Sequence, residues 1–560
     1  VLTSSAFTRQ AFLFALCTLP VWLYGLFCGS TGHDDSHITF WQAQALLDYG
    51  DLRNYNGERI EQSSSLLMSL LTALTALISR LSVVDSGYVL NLGGSILTLW
   101  VVWRLAQQSA IAKPWLPAVL TALTPYFSYW AWSGMETALA ATCVMLFLAT
   151  LFSWLQPSSG IGSVSLFLSA LALAAVRPEM VLLGPVFLLI AAIIFRRPAL
   201  MLYIAPFVLL SLWRYHYFGE WFPNPVYAKS GMADAEQLLR GWEYFQRLFR
   251  HPVAALGISI TLMAFAVSCV ACLRARLQHH LLALCCLWVG IYGGFVIASG
   301  GDWMKEGRFW VPLVAPMWLA ICLTFLSAKR SLLTRYALPL LLVFYAPFFI
   351  NTYNLGTPFW NYSQQKTIAG EQASFFETAN REHLRDWPAL RALQTLIPAI
   401  EPLHQKPLTI MSKQMGMVNF HLAKAFHGEF QVWDMAGLVD NTLRHCAVMA
   451  QDGFDKQGLR INYRKFFDRL PQAEKECSLR APDIIYDIYG WGETTPLPDF
   501  LRSQGYRIIF NQTGRVDIKP GIDITAQEMI AVRENLLQGL NVQDDVIDFN
   551  LLMHPPATKD

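Results

Sequence analysis

The chain has 560 residues, of which 54% are hydrophobic and only 15% charged, with 35 Phe, 19 Trp and a formal net charge of +2. Soluble domains carry about 25% charged residues, so the composition excludes an ordinary soluble protein, and nothing in the near-neutral charge suggests a nucleic-acid partner. The charge deficit lies in residues 1–350, which are dominated by long apolar runs; residues 351–560 have a soluble composition. The expected division is therefore a polytopic α-helical membrane domain, 1–350, and a C-terminal soluble domain, 351–560.

In chain order, the candidate spans are 11–29, 63–82, 86–105, 112–130, 134–155, 163–176, 180–195, 199–218, 253–273, 280–299, 309–326 and 332–350. The chain begins at Val1 rather than Met, so a few preceding residues are expected. The first span lacks a small-residue cleavage site and reads as retained. Lys and Arg near span ends favour the cytoplasm. The basic clusters are Arg104 to Lys113, Arg196-Arg197, Arg274 to Arg276, and Lys329-Arg330 with Arg335. All of them can lie inside only if one segment does not cross. The Ser- and Thr-rich 63–82 segment is the one assigned to the outer interface, as a juxtamembrane helix within an outer loop spanning 30–85. About eleven spans remain, with the N-terminus inside and the C-terminus outside. A broken helix at 163–176 or 180–195 is the alternative.

Eight of the ten Cys lie in apolar spans, where buried free thiols are expected. Cys446 and Cys477 fall in the soluble domain and can pair if that domain is periplasmic.

The same topology gathers the polar islands at the outer boundary. Asp34 and Asp35 follow the first span, where adjacent acids are costly and need a reason. A sugar transfer needs a base for the acceptor hydroxyl and a group that stabilises the leaving phosphate. The acid pair can supply the base. The preferred assignment is Asp34 as base, with Asp35 capping a helix from Ser36 to Tyr49 and orienting its neighbour. Helix capping alone explains one acid, not two. His33 and His37 flank the pair; with Asp34 and Asp35 they could hold a divalent metal, but hydrogen bonding is the preferred role for them.

Glu136 begins a span after Gly134. Arg177-Pro178-Glu179 is a charged pair at a proline break. Both can serve a ligand or simply an interfacial helix end. The stretch from Arg214 to Lys229 adds Asn224 between prolines, and Asp302 and Arg308 close the set. Outer cations run against the charge bias, so a bound anion is a reasonable partner. Arg177, Lys229 and Arg308 are expected on the donor phosphate, and Glu58, Glu61 and Glu136 on sugar hydroxyls.

In the soluble domain, 371–396, 417–425 and 498–504 read as helices. Residues 407–411, 429–434, 482–487 and 506–511 read as strands, which together give a small α/β domain. Asp434, Asp440 and the Tyr486 to Trp491 aromatic run either face an acceptor or belong to strand-to-loop structure.

Taken in order, these islands are Asp34-Asp35, Asn56-Gly57-Glu58-Arg59 with Glu61, and Ser133-Gly134-Met135-Glu136-Thr137. Arg177-Pro178-Glu179, Tyr217-Phe218-Gly219 with Pro223-Asn224 and Ala228-Lys229, Gly301-Asp302-Trp303-Met304 with Arg308, and Asp434 to Leu438 with Asp440 follow. The series resembles bacterial GT-C polyprenyl-phosphate-dependent glycosyltransferases, and within them the arabinofuranosyltransferase group. The sequence departs from that pattern at Pro225, after Asn224, and at Gln62-Ser63, after Glu61.

The resemblance implies a GT-C fold in the bacterial inner membrane, with juxtamembrane helices and a periplasmic C-terminal domain. It implies a polyprenyl-phosphate donor carrying one sugar, D-arabinofuranose. No cofactor is required, and the acceptor is a pilin-like protein or a cell-envelope glycan. The shared outer placement sets Glu58, Arg59, Glu61, Glu136, Arg177, Glu179, Arg214, Asn224, Lys229, Asp302 and Arg308 around the donor, with His37, Asp434 and Asp440 as candidates for the acceptor side. A polytopic transporter or lipid-linked sugar flippase is the alternative. The sequence lacks the internal repeat such proteins tend to carry.

Overall fold

The computed structural model describes residues 4–28, 33–156, 162–229, 235–249, 252–275, 279–302, 304, 307–326, 388–400, 407–413, 415–426, 428–452, 454–455, 458–459, 461–489, 497–519 and 522–538. The chain divides into two compact units that do not follow a single cut near residue 350. One comprises Val1–Gly32, Ser64–Phe222 and Met232–Ser363. The other comprises His33–Ser63, Pro223–Gly231 and Gln364–Asp560. The loop carrying Asp34 and Asp35, and the short segment carrying Asn224 and Lys229, thus belong to the same unit as the C-terminal residues.

The first unit is helical. Among the described residues, six helices are long and apolar enough to cross a membrane: Val83–Gln108, Thr137–Leu155, Pro198–Phe218, Ala255–Arg274, His280–Ala298 and Arg308–Leu326. Shorter apolar helices run over Gln10–Leu26, Leu66–Ser79, Gly162–Val176 and Met180–Ile194. The chain is a multi-pass membrane protein. The expected span 332–350 lies outside the described residues.

Leu66–Ser79 has 14 residues. At about 1.5 Å per residue it reaches about 21 Å, against a hydrocarbon core of about 30 Å. Its buried residues are Leu66 and Met68 with the smaller Ser69, Thr72, Ala73 and Ala76, and Leu70, Leu74, Leu77 and Ile78 are exposed. The expected span 112–130 is broken into Leu116–Leu123 and Pro125–Ala131. Pro125 forces Thr124 into the extended region (ψ 115°). The Thr124 hydroxyl then accepts the indole N–H of Trp318 at 3.0 Å. Val83–Gln108 and Thr137–Leu155 approach through small residues: the Thr142 hydroxyl donates to the Gly94 carbonyl at 2.7 Å and lies 3.0 Å from that of Thr98. The helix Ala235–Gln246 was not expected from the sequence.

The second unit is α/β. Its main sheet contains β1 (Leu408–Ser412), β2 (Phe430–Asp434), β3 (Ile484–Tyr489), β4 (Tyr506–Lys519) and β5 (Ile522–Arg533), in the order β2-β1-β3-β5-β4. β1 is parallel to both β2 and β3, whereas β5 runs antiparallel to β3 and β4. All five residues of β1 are buried, as a central strand covered on both faces requires. Four expected strands are present; β5 and the helix Tyr463–Cys477 are additional. Of the expected helix 371–396, residues 371–387 lie outside the described residues; a helix runs over Pro388–Ile400. Cys446 and Cys477 form a disulfide that ties the end of the Tyr463–Cys477 helix into the core with Met411, Trp433, Phe466 and Ile485.

Candidate active site

In the second unit, helix Ser36–Tyr49 starts at the acid pair. Asp35 occupies the N-cap position, yet its side chain makes no cap hydrogen bond. The helix start is secured instead by His33, whose carbonyl accepts from the Ser36 amide (3.0 Å) and hydroxyl (2.6 Å). Asp34 is the immobilised acid: its Oδ2 accepts the Gly416 amide at 3.0 Å and its Oδ1 the Met417 amide at 2.7 Å. These amides open the helix Met417–Ala425, where the dipole and unpaired N–H groups favour an anion. Burial outweighs those amides and, with Asp35 alongside, pushes the Asp34 pKa up to about 6.

His37 is buried, packed edge-on against Phe40 and Phe420 at ring separations of 5.4 and 5.5 Å. Burial, with His421 nearby, lowers its pKa to about 3, so it is neutral. Among the described residues, no group of three or more His, Cys, Asp or Glu side chains is arranged to hold a metal ion.

The loop after the helix is fastened by amide side chains. Asn54 donates to Glu58 Oε2 (2.9 Å) and to the Val439 carbonyl (3.0 Å). Asn56 exchanges two bonds with the Val432 backbone and donates to Asp440 Oδ1 at 3.2 Å. Glu58 and Arg59 are exposed, with Arg59 3.9 Å from Asp51, whereas Glu61 is buried. Gln62 and Ser63, where the sequence departs from the family pattern, are both buried. Gln62 donates to the Ile38 carbonyl at 2.8 Å and the Ser63 hydroxyl lies 2.8 Å from that of Thr39, so these residues lock the loop to the helix. Asn224 opens a short helix, Asn224–Lys229; its amide side chain donates to the carbonyls of Gly437 and Leu438, each at 3.0 Å. Its backbone N–H reaches the Glu61 carbonyl at 2.9 Å. Lys229, partly buried, ends that helix.

Asp434 and Asp440 are turned inward. Asp434 accepts the amides of Ala436, Leu438 and Val439, and Asp440 accepts the Thr442 amide and hydroxyl. Burial raises them to about 7 and about 6, respectively. These bonds shape the turn that follows β2. Tyr486 is likewise buried, its hydroxyl donating to Glu528 at 2.9 Å; Trp491 lies outside the described residues.

The first unit holds the remaining islands. Arg177 donates to Glu136 Oε1 through Nη1 and to Glu179 Oε1 through Nε, both at 2.5 Å, and the Tyr292 hydroxyl donates to Glu179 at 3.1 Å. Arg308 donates to Asp302 Oδ2 at 2.6 Å. The Phe309 ring stands 4.7 Å from the Arg177 guanidinium carbon and 5.2 Å from that of Arg308. Both guanidiniums, expected on a phosphate, are therefore matched by buried carboxylates. Gly301 (φ +66°) lies against the Tyr244 ring, where an added Cβ would come within 2.3 Å. Arg214 is fully buried in this unit. Sequence reasoning missed Gly416, Met417 and Tyr55. Tyr292, a phenol in an apolar run, carried a visible signal because a buried hydroxyl needs a partner.

No protein-family model matches this chain, and no curated protein sequence does. Among solved structures, the chain is similar to ArnT from Cupriavidus metallidurans in the apo state, with a TM-score of 0.53 at 12% identity over 95% of this chain and 99% of that one. It is also similar to ArnT from the same organism bound to undecaprenyl phosphate, with a TM-score of 0.50 at 12% identity over 93% and 98%. At this identity the likeness is one of fold. The fold is the expected GT-C architecture, a polytopic helical domain with a C-terminal α/β domain.

Proposed function

We propose that this protein is a membrane glycosyltransferase that moves one sugar from a polyprenyl-phosphate donor to an acceptor hydroxyl. The observation that carries the reading is the fold likeness, over nearly the whole chain, to ArnT holding undecaprenyl phosphate. The acid pair supplies the chemistry such a transfer needs. The acceptor oxygen attacks the anomeric carbon, the bond from that carbon to the phosphate oxygen breaks, and polyprenyl phosphate leaves. The acceptor proton passes to a carboxylate. Asp35 takes that proton, because both Asp34 oxygens already accept backbone amides. Lys229 meets the phosphate, since Arg177 and Arg308 are each held by carboxylates. The motif series supports D-arabinofuranose as the sugar and a pilin-like protein or envelope glycan as the acceptor. The Cys446–Cys477 bridge supports an oxidising compartment, hence a periplasmic C-terminal domain on the bacterial inner membrane.

Mass spectrometry of lipid extracted from the purified protein tests the donor class. A polyprenyl monophosphate, bare or carrying a pentose, is the expected species. Extracts containing phospholipid alone, even after purification in the presence of added polyprenyl phosphate, contradict the reading.

A further inference from the structure

Gly416 is separated from Asp34 by 382 residues, yet the two are in backbone contact. A Cβ added to Gly416 would stand 2.0 Å from the Asp34 carbonyl oxygen and 2.4 Å from its carboxyl carbon. The approach therefore requires glycine for space, not for a left-handed conformation (φ −89°). The Gly416 carbonyl is held from the other side by the Tyr55 hydroxyl at 3.2 Å. The Asp34 carbonyl in turn accepts the His37 amide at 3.0 Å, within the first turn of the helix that begins at Asp35. One short peptide edge thus fixes the Asp34 side chain, the Asp34 backbone and, through them, the direction in which Asp35 leaves the chain.

We propose that the Gly416–Met417 edge is the positioning element of the acid pair, so that the C-terminal α/β residues are part of the catalytic machinery; this rests on the glycosyl transfer proposed above. Two adjacent carboxylates repel, and each competes for the orientation the reaction needs. Placing Asp34 on two amides at a helix start fixes one acid of the pair and, with it, the backbone from which Asp35 projects. Neither Gly416 nor Met417 touches a reacting atom in this scheme. Their effect is geometric, and displacement of a reacting group by about 1 Å can cost about 100-fold in rate.

The test compares Gly416→Ala, Met417→Pro, Met417→Ala and Asp35→Asn in the full-length, membrane-purified protein, with a synthetic polyprenyl-phosphate sugar as donor. Retention of the Cys446–Cys477 bridge and a monodisperse elution profile establish folding. Proline is tolerated at the first helical position but has no N–H, so the Met417→Pro and Met417→Ala pair isolates the amide from the side chain. If Gly416→Ala does not fold, that pair decides alone. We expect kcat of Met417→Pro to fall at least about tenfold below that of Met417→Ala, with donor KM within about threefold. The acidic limb of its rate profile should move up by about one pH unit, because a donor to the ionised carboxylate is gone. Equal kcat and equal limbs in the pair, with Asp35→Asn inactive, overturn the positioning role and leave the functional reading standing. Full transfer by Asp35→Asn overturns the positioning role and the assignment of Asp35 as base, whereas no donor turnover by wild type overturns the functional reading.

Discussion

Arg177→Met gives the sharpest test of how the first unit uses its charges. The guanidinium lies between two carboxylates, 2.5 Å from each, with side-chain exposures of 6% for Arg177, 1% for Glu136 and 8% for Glu179. Methionine preserves much of the volume and removes the charge. Two buried acids are then left without a counter-ion, and breaking a buried pair from one side costs about 3–5 kcal/mol. Against a total stability of about 5–15 kcal/mol, that is a large fraction, and it corresponds to a melting temperature lowered by about 6–20 °C. Fluorescence-detected size exclusion after graded heating reads this directly. The triple variant Glu136→Gln, Arg177→Met, Glu179→Gln removes all three charges and should recover most of the loss, because neutralising a whole buried ion set is far cheaper than orphaning part of it. If Arg177→Met keeps the wild-type melting temperature and instead raises donor KM, the guanidinium is a phosphate ligand and the reasoning is refuted.

In the second unit, Asp434→Ala strands the amides of Ala436, Leu438 and Val439. It should cost about 3 kcal/mol or more, read as a lower melting temperature and faster trypsin cleavage near residue 444; unchanged proteolysis contradicts this. Reducing the Cys446–Cys477 bridge, which closes a separation of 31 residues, should destabilise wild type by about 2–5 kcal/mol. Reductant should leave a Cys446→Ser, Cys477→Ser variant unaffected, and equal melting of wild type with and without reductant opposes the claim. Activity and stability should move in opposite directions with pH. Burial lifts Asp34 and Asp434 from 3.8 in the unfolded chain to about 6 and about 7, so their contribution to stability is complete below about pH 4 and lost as pH rises through 6 to 7. Transfer, which needs Asp34 ionised on the Gly416 and Met417 amides to position its neighbour, rises through about pH 6. Stability that increases from pH 5 to 8 contradicts the assignment.

The helical frame was legible because apolar runs of span length leave little choice of structure in a bilayer. The break at Thr124 was legible in principle from Pro125, but an apolar run on both sides hid it. Tyr463–Cys477 carried a helical pattern in Tyr463, Phe466, Leu470 and Ala473, all buried, and Pro471 in its interior masked it. β5 places Asp523, Gln527 and Glu528 among its apolar residues, which obscures strand periodicity. At the site, the acid pair stood out as two charges beside a span. Its partner did not, because Gly416 and Met417 act through backbone amides, and an amide leaves no mark in the side-chain sequence. The carboxylates that face Arg177 and Arg308 are Glu136, Glu179 and Asp302. The residues that pair lie 2, 6 and 41 positions apart, and only the first two spacings suggest contact from sequence.

The central claim, transfer from a polyprenyl-phosphate donor by the acid pair, is tested most directly by a turnover assay. Purified protein in lipid nanodiscs is given synthetic polyprenyl-phosphoryl D-arabinofuranose and an acceptor glycan or pilin-like protein, and released polyprenyl phosphate is measured alongside pentose on the acceptor. The account predicts stoichiometric release and attachment by wild type, reduced by at least about 100-fold in a folded Asp35→Asn variant. Attachment by Asp35→Asn at the wild-type rate, or no donor turnover by wild type, would contradict it.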